Sequence, residues 1–104
     1  RLYAPSVALA ELFVWAYNRP DATRILQAID TLFFEDVRVL DFDRDCAREF
    51  GRLRVELRRS GIEVPSIDLM IATTALLYDL TLVTNNTSDF QRIPDLRLQD
   101  WQAT

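Results

Sequence analysis

The sequence predicts an α/β domain in which a parallel sheet is flanked by helices. Residues 37–42 are rich in β-branched side chains, and residues 80–84 form an unbroken apolar run, typical of a parallel strand covered on both faces. Segments with helical spacing of apolar residues alternate with these runs, an order that favours right-handed crossovers. A chain of 104 residues is expected to form one domain, over residues 1–104.

Two helices are predicted in the first third of the chain. Ser6 is expected to cap a helix over residues 7–17, which should be buried nearly all round because Glu11 is its only charged residue. Pro20 suits the first turn of a second helix that runs to about Phe33. Five apolar residues of this second helix are spaced to face inward: Ile25, Leu26, Ile29, Leu32 and Phe33.

A long third helix is predicted after the strand at residues 37–42. Asp43 is expected to cap this helix, which ends near Arg59 and has Gly61 as its stop. Four residues at helical spacing form its predicted inner face: Cys46, Phe50, Leu53 and Leu57.

The last third of the chain is predicted to contain a helix and two strands. The helix covers residues 67–78 and follows Pro65 and Ser66. Residues 80–84 form the apolar strand, and a final strand is predicted over residues 96–101. Only three strands are therefore predicted, which makes a thin sheet for so many apolar helices.

The composition restricts the chemistry that the chain can perform. It contains no His and no Lys, so all twelve basic residues are Arg. This excludes imidazole catalysis, Ser–His triads, zinc sites built on His and Schiff-base chemistry. Carboxylate, hydroxyl, amide and guanidinium groups remain. The net charge of −4 argues against a general nucleic-acid coat but permits a local track of Arg residues.

The sequence is expected to belong to a cytoplasmic protein that makes no membrane contact. Cys46 is the only cysteine, so no internal disulfide can form, which is compatible with a reducing cytoplasm. No apolar run approaches the ~20 residues that a bilayer span needs. Cys46 itself is interpreted as a core residue.

Three carboxylates are candidates for a shared site. Asp68 lies in the first turn of its predicted helix and Asp89 follows the strand at residues 80–84; ligands of open α/β sheets bind beyond the carboxyl ends of the strands. A helix-dipole role for Asp68 and a capping role for Asp89 stay open as alternatives. Glu11 lies in an apolar helix and needs a partner, which is either a metal ion or an Arg.

Carboxylates that converge without His or Lys favour a hard cation with oxygen ligands. Mg²⁺ and Mn²⁺ suit such ligands, and Mg²⁺ typically keeps waters and takes substrate phosphate oxygens as well. Such a site would activate a water and stabilise charge on a phosphodiester during in-line attack. No protein nucleophile is required.

The polar loop beside Asp89 and the Arg residues of the third helix have two interpretations each. The loop from Thr84 to Ser88 could orient a water or a phosphate, or could consist of ordinary turn formers. Arg44, Arg48 and Arg52 share one helical stripe that could contact a nucleic-acid backbone. The alternative is a solvated helix face in which acidic residues alternate with the Arg residues.

The order of elements and several motifs resemble the PIN domain, and in particular the VapC-type toxins of bacterial toxin–antitoxin pairs. The resemblance runs across nearly the whole chain, and its motifs occur together and in order. The segments that carry it are Glu11 in SVALAEL, FGRLRVEL at 50–57, Asp68 in IDLMIA, LTLVTNNTSDF at 80–90 and IPDLRLQDW at 93–101.

This resemblance implies a Rossmann-like three-layer domain and a ribonuclease that depends on Mg²⁺ or Mn²⁺. It also implies a homodimer that is neutralised by a small VapB-like antitoxin with a DNA-binding part. Glu11, Asp68 and Asp89 match three of the family's acidic metal-site positions. Thr84 and Asn86 match the polar residues beside the last of them.

The family's first acidic residue has no counterpart in this sequence. It lies at the end of an N-terminal, central strand, in a motif like Leu-Asp-Thr-Asn. We therefore expect that this strand is missing from the chain, because it was clipped, left out of the sequence or lost in a degenerate copy. The 104-residue form is expected to be weakly active or inactive, because it lacks a principal ligand.

Two rival interpretations come from other features of the chain. Asp41 and Asp43 flank Phe42 after a strand, like the Asp-x-Asp motif of haloacid-dehalogenase-type phosphatases, but those enzymes normally use a Lys that this chain lacks. The second rival is a PIN-like module that has lost its chemistry and binds a partner. Five large apolar residues are interpreted mainly as core, with a dimer or partner surface as the alternative: Leu2, Phe13, Trp15, Tyr17 and Phe34.

Overall fold

A computed structural model describes residues 2–84 and 87–100, and its backbone divides into two compact units, residues 1–41 and 42–104. The first unit contains β1 (Leu2–Pro5), α1 (Ser6–Tyr17), α2 (Ala22–Glu35) and β2 (Val37–Leu40). The second unit contains α3 (Arg44–Arg59), α4 (Ser66–Leu77), β3 (Leu82–Thr84), α5 (Thr87–Phe90) and β4 (Leu98–Asp100). The prediction of one domain over the whole chain stays a prediction.

The first unit is built on a parallel pair of strands. Leu2 of β1 lies opposite Val37 of β2, and Pro5 lies opposite Leu40. The helices α1 and α2 contact each other and pack on β2. The prediction of parallel pairing is confirmed here, but β1 itself was not predicted, because four residues that end in Pro carry too little strand pattern to be recognised.

The prediction that α1 is buried nearly all round is wrong. Ala16 is its only buried residue, and Glu11 is exposed to solvent. The desolvation argument for a metal or Arg partner at Glu11 therefore does not apply. Ser6 is the first residue of α1 rather than its cap, since Pro5 occupies the cap position and no side chain caps the helix.

The inner face predicted for α2 is only partly correct. Ile29 is buried, whereas Leu32 is 46% exposed. The remaining predicted inner residues are half-buried: Ile25, Leu26 and Phe33. The helix begins at Ala22, two residues later than the predicted Pro20.

The second unit contains α3, which was predicted with its correct start and end. The Asp43 side chain accepts a hydrogen bond from the Cys46 backbone N–H at 3.0 Å, and Gly61 ends the helix with φ of +75°. This hydrogen bond is the main reason that the pKa of Asp43 lies below its usual value, and a hydrogen bond from the Tyr78 hydroxyl at 3.2 Å adds to the effect. Cys46, Leu53 and Leu57 are buried as predicted.

The helix α4 packs against α3 and also contacts α5. A continuous run of its residues is buried, from Ile71 to Ala75, and Leu69 is fully buried as well. Two buried hydroxyls are satisfied within the helix: Thr73 donates to the Leu69 carbonyl at 2.7 Å, and Thr74 donates to the Met70 carbonyl at 3.0 Å. In this helix, polar side chains are buried at little cost because the backbone accepts their protons.

The strands of the second unit form another parallel pair. Leu82 lies opposite Leu98, and β3 begins two residues later than the predicted strand at residues 80–84. The short helix α5 follows β3, in a stretch that was predicted as a loop. No helix among the described residues is long and apolar enough to cross a membrane.

Candidate functional site

Asp68 is the third residue of α4 and is half-buried. The helix begins after Pro65, whose extended backbone (φ −54°, ψ 143°) turns the chain into the first turn, and the Leu69 N–H donates to the Pro65 carbonyl at 2.9 Å. Leu69 is fully buried beside Asp68. The buried Leu69 therefore holds the first turn of α4 against the core, and Asp68 lies at the edge of the core.

Asp89 has a similar setting on α5. It is half-buried and lies next to Phe90, which is 4% exposed, while Ile93 anchors the following turn with 3% exposure. The helices α4 and α5 contact each other. The structure thus places Asp68 and Asp89 on two touching helices of one unit.

Glu11, Thr84 and Asn86 complete the predicted set. Glu11 belongs to the other unit, so the convergence of all three carboxylates stays a prediction. Thr84 is the last residue of β3 and is half-buried, three residues before α5 begins. Asn86 lies outside the described residues.

The second unit offers oxygen donors of the kind that hard cations prefer. Its oxygen donors are the carboxylates of Asp68 and Asp89 and the hydroxyl of Thr84. Across residues 2–84 and 87–100, no group of three or more His, Cys, Asp or Glu side chains is placed to hold a metal ion. Mg²⁺ is often held by one or two carboxylates, with water and phosphate oxygens completing its shell, so a metal site at Asp68 and Asp89 stays a prediction.

Arg52, the predicted nucleic-acid contact, is paired with acidic residues of its own helix. Its guanidinium forms ion pairs with Glu49 and, at 2.5 Å, with Glu56. These hydrogen bonds raise the pKa of Arg52, and the one to Glu49 lowers the pKa of that carboxyl. This is the arrangement expected for a solvated helix face, and the contact with nucleic acid stays a prediction.

The sequence interpretation missed Arg54, which is 8% exposed and is the only buried charged residue among those described. Its guanidinium lies 5.4 Å from the Phe50 ring centroid and donates to the Val64 carbonyl and the Ser66 hydroxyl. A signal was available in the sequence. Arg54 lies four residues after Phe50, one after Leu53 and three before Leu57, so it occupies the apolar stripe of α3.

The structure argues against the phosphatase interpretation, because Asp43 of the Asp-x-Asp motif makes structural contacts. The Asp43 carboxylate caps α3 and accepts a hydrogen bond from Tyr78, which gives it a structural role. The Asp-x-Asp resemblance is therefore accounted for by a helix cap.

Comparison with known proteins identifies the family. A model of the PIN domain matches residues 1–96. The tRNA(fMet)-specific endonuclease VapC of Shigella flexneri is 41% identical over 96 residues, which cover 92% of this chain and 72% of that protein. Ribonuclease VapC2 of Rickettsia felis is 35% identical over 96 residues, which cover 92% of this chain and 71% of that protein.

A solved structure of DNA-bound VapBC from Salmonella typhimurium matches the fold. Its TM-score is 0.85 at 38% identity, and the match covers 97% of this chain and 76% of that chain. The chain described here belongs to the PIN domain family.

Proposed function

We propose that this protein is a VapC-type toxin, an endoribonuclease that cleaves RNA phosphodiesters with the help of Mg²⁺ or Mn²⁺. The observation that carries the proposal is the 41% identity to a tRNA(fMet)-specific endonuclease over 92% of the chain. The setting of Asp68 and Asp89 supports the metal dependence, because both offer hard oxygen donors on touching helices.

The residues of this chain have distinct roles in the proposed reaction. Asp68 and Asp89 would hold the cation, and a role for Glu11 as a third ligand stays a prediction. The Thr84 hydroxyl, at the end of β3, orients a water or a phosphate oxygen. A cation held there would supply charge stabilisation at the phosphate and would make a water molecule more nucleophilic. Because the chain has no His, this mechanism uses no imidazole.

Removal and return of metal tests the proposal. The complete gene product and the 104-residue chain are each incubated with initiator tRNA, the substrate named for the Shigella flexneri relative, and with an elongator tRNA for comparison. We expect the complete product to cleave RNA with Mn²⁺, to stop with EDTA and to resume when Mn²⁺ is restored. Cleavage that persists in EDTA would refute metal dependence. Absence of cleavage, together with no Mn²⁺ site in calorimetry, would favour the partner-binding module.

We also propose that the protein forms a homodimer and binds a VapB-like antitoxin. The interpretation of the large apolar residues as core is wrong for four of them, since Leu2, Trp15, Tyr17 and Phe34 are between 51% and 90% exposed. A contiguous patch of exposed apolar side chains typically marks a protein contact, and these four side chains are candidates for such a patch. Light scattering of the purified protein should give twice the mass of the chain, and a monomeric mass at micromolar concentration would contradict the dimer.

A further inference from the structure

Residues 63–66 comprise the end of the connection between α3 and α4 and the first residue of α4, and they are held by guanidinium groups from two directions. From α3, Arg54 donates one hydrogen bond to the Val64 carbonyl and a second, at 3.0 Å, to the Ser66 hydroxyl. These two partners lie on either side of Pro65, the residue from which α4 begins. A single buried side chain therefore fixes both flanks of the helix start, two residues before Asp68.

The second contact comes from the residues that follow α5. Arg92 donates to the Glu63 carbonyl at 3.0 Å, and the neighbouring Ile93 is buried. Arg92 lies three residues after Asp89. The segment 63–66 is thus tied to the start of the helix that carries Asp68 and to the end of the helix that carries Asp89.

The burial of Arg54 indicates that its position is specific. A buried cation is costly unless it is paired and hydrogen-bonded, and Arg54 has both kinds of partner, with Glu63 at 3.6 Å. A planar guanidinium can donate to two acceptors at once in a fixed geometry, which an ammonium on a flexible stem cannot do. Arg58 provides a contrast, because in the part of the chain that the structure describes its guanidinium pairs with the exposed carboxylate of Glu63, at 3.0 and 3.1 Å, and not with the backbone of residues 63–66.

We propose that Arg54 is a positioning residue which, through residues 63–66 and together with Arg92, sets the separation of the Asp68 and Asp89 carboxylates. This proposal rests on the proposed function, because the separation of the two carboxylates matters only if they share a cation. Arg54 touches neither substrate nor metal in this scheme. Groups that orient metal ligands from behind typically change metal affinity or activity by about 10- to 100-fold when they are replaced.

The test compares Arg54→Met with Arg58→Met, which removes a guanidinium from the same helix one turn away. Both variants of the complete gene product are first checked for folding by circular dichroism. We expect Arg54→Met to weaken Mn²⁺ binding in calorimetry by about 10- to 100-fold and to lower kcat for RNA cleavage, with little change in KM. Arg58→Met should leave Mn²⁺ affinity and kcat unchanged. A folded Arg54→Met protein with unchanged Mn²⁺ affinity would overturn the proposal.

Two further measurements keep the test decisive. If Arg54→Met does not fold, Arg54→Lys retains the charge but not the planar, pre-organised guanidinium geometry, and unchanged Mn²⁺ affinity in that variant would equally overturn the proposal. Amide hydrogen exchange at residues 66–69 should be faster in the Arg54 variants than in Arg58→Met. If the unsubstituted protein neither binds Mn²⁺ nor cleaves RNA, the proposed function fails. The positioning role is then tested by hydrogen exchange alone, and exchange at residues 66–69 that is unaltered in the Arg54 variants would overturn it.

Discussion

Replacement of Asp68 by Asn is expected to lower RNA cleavage by about 100-fold or more, since even groups that only orient metal ligands account for 10- to 100-fold. The substitution keeps the size of the side chain and one of its oxygens but removes the negative charge that attracts the cation. Stability should change little, because Asp68 is only half-buried and the fully buried Leu69 holds the first turn of α4. The measurement is the cleavage rate of initiator tRNA with Mn²⁺, together with the Mn²⁺ dissociation constant.

Asp45→Asn is the matched control for this substitution. Asp45 also lies in the first turn of a helix, but it is exposed and belongs to no predicted site. If Asp68 merely stabilises the helix dipole, both variants should retain cleavage and lose a similar, small amount of stability. Full activity of Asp68→Asn would therefore contradict the metal site and leave the dipole interpretation.

Leu69→Ala should produce the largest loss of stability, about 2–5 kcal/mol of the free energy of unfolding. Leu69 is fully buried, and its carbonyl accepts the hydrogen bond of the equally buried Thr73. The truncation would leave a cavity between helices that pack closely, so little relaxation is expected. Urea unfolding followed by circular dichroism measures the change.

The same truncation at the other end of α4 provides the control. Leu77 is 40% exposed and is the last residue of that helix. Leu77→Ala should cost about 1 kcal/mol or less, because much of the side chain is already in contact with water. Equal losses for the two variants would mean that α4 is not anchored at its first turn, which would also weaken the argument for how Asp68 is placed.

The helix α3 shows what local pattern can establish. Its signals are Asp43 at the cap, apolar residues three and four apart, and Gly61 after the last turn. Each signal acts within one helix, through residues that are close in sequence. Such interactions do not depend on the rest of the fold, and the predicted start and end were correct. The same stripe nevertheless concealed Arg54, because helical periodicity does not say which polar residue will find buried acceptors in a later segment of the chain.

The candidate site was predictable in part for the same reason. The first-turn position of Asp68 follows from Pro65 and Ser66, and Asp89 follows from the strand that precedes it. The short helix α5 was not predicted, since four polar and aromatic residues carry no helical period. The role of residues 63–66 depends on contacts across more than ten positions of sequence, which composition does not reveal.

The helices α1 and α4 differ in burial, and the sequence did not predict this difference. Both are twelve-residue, largely apolar helices with one carboxylate each, Glu11 and Asp68, so the sequence alone determined that both would be helices. Only the tertiary structure decided that six residues of α4 are buried while α1 buries Ala16 alone. The physical reason is that helical hydrogen bonds form within a segment, whereas burial depends on whether another element packs against each face.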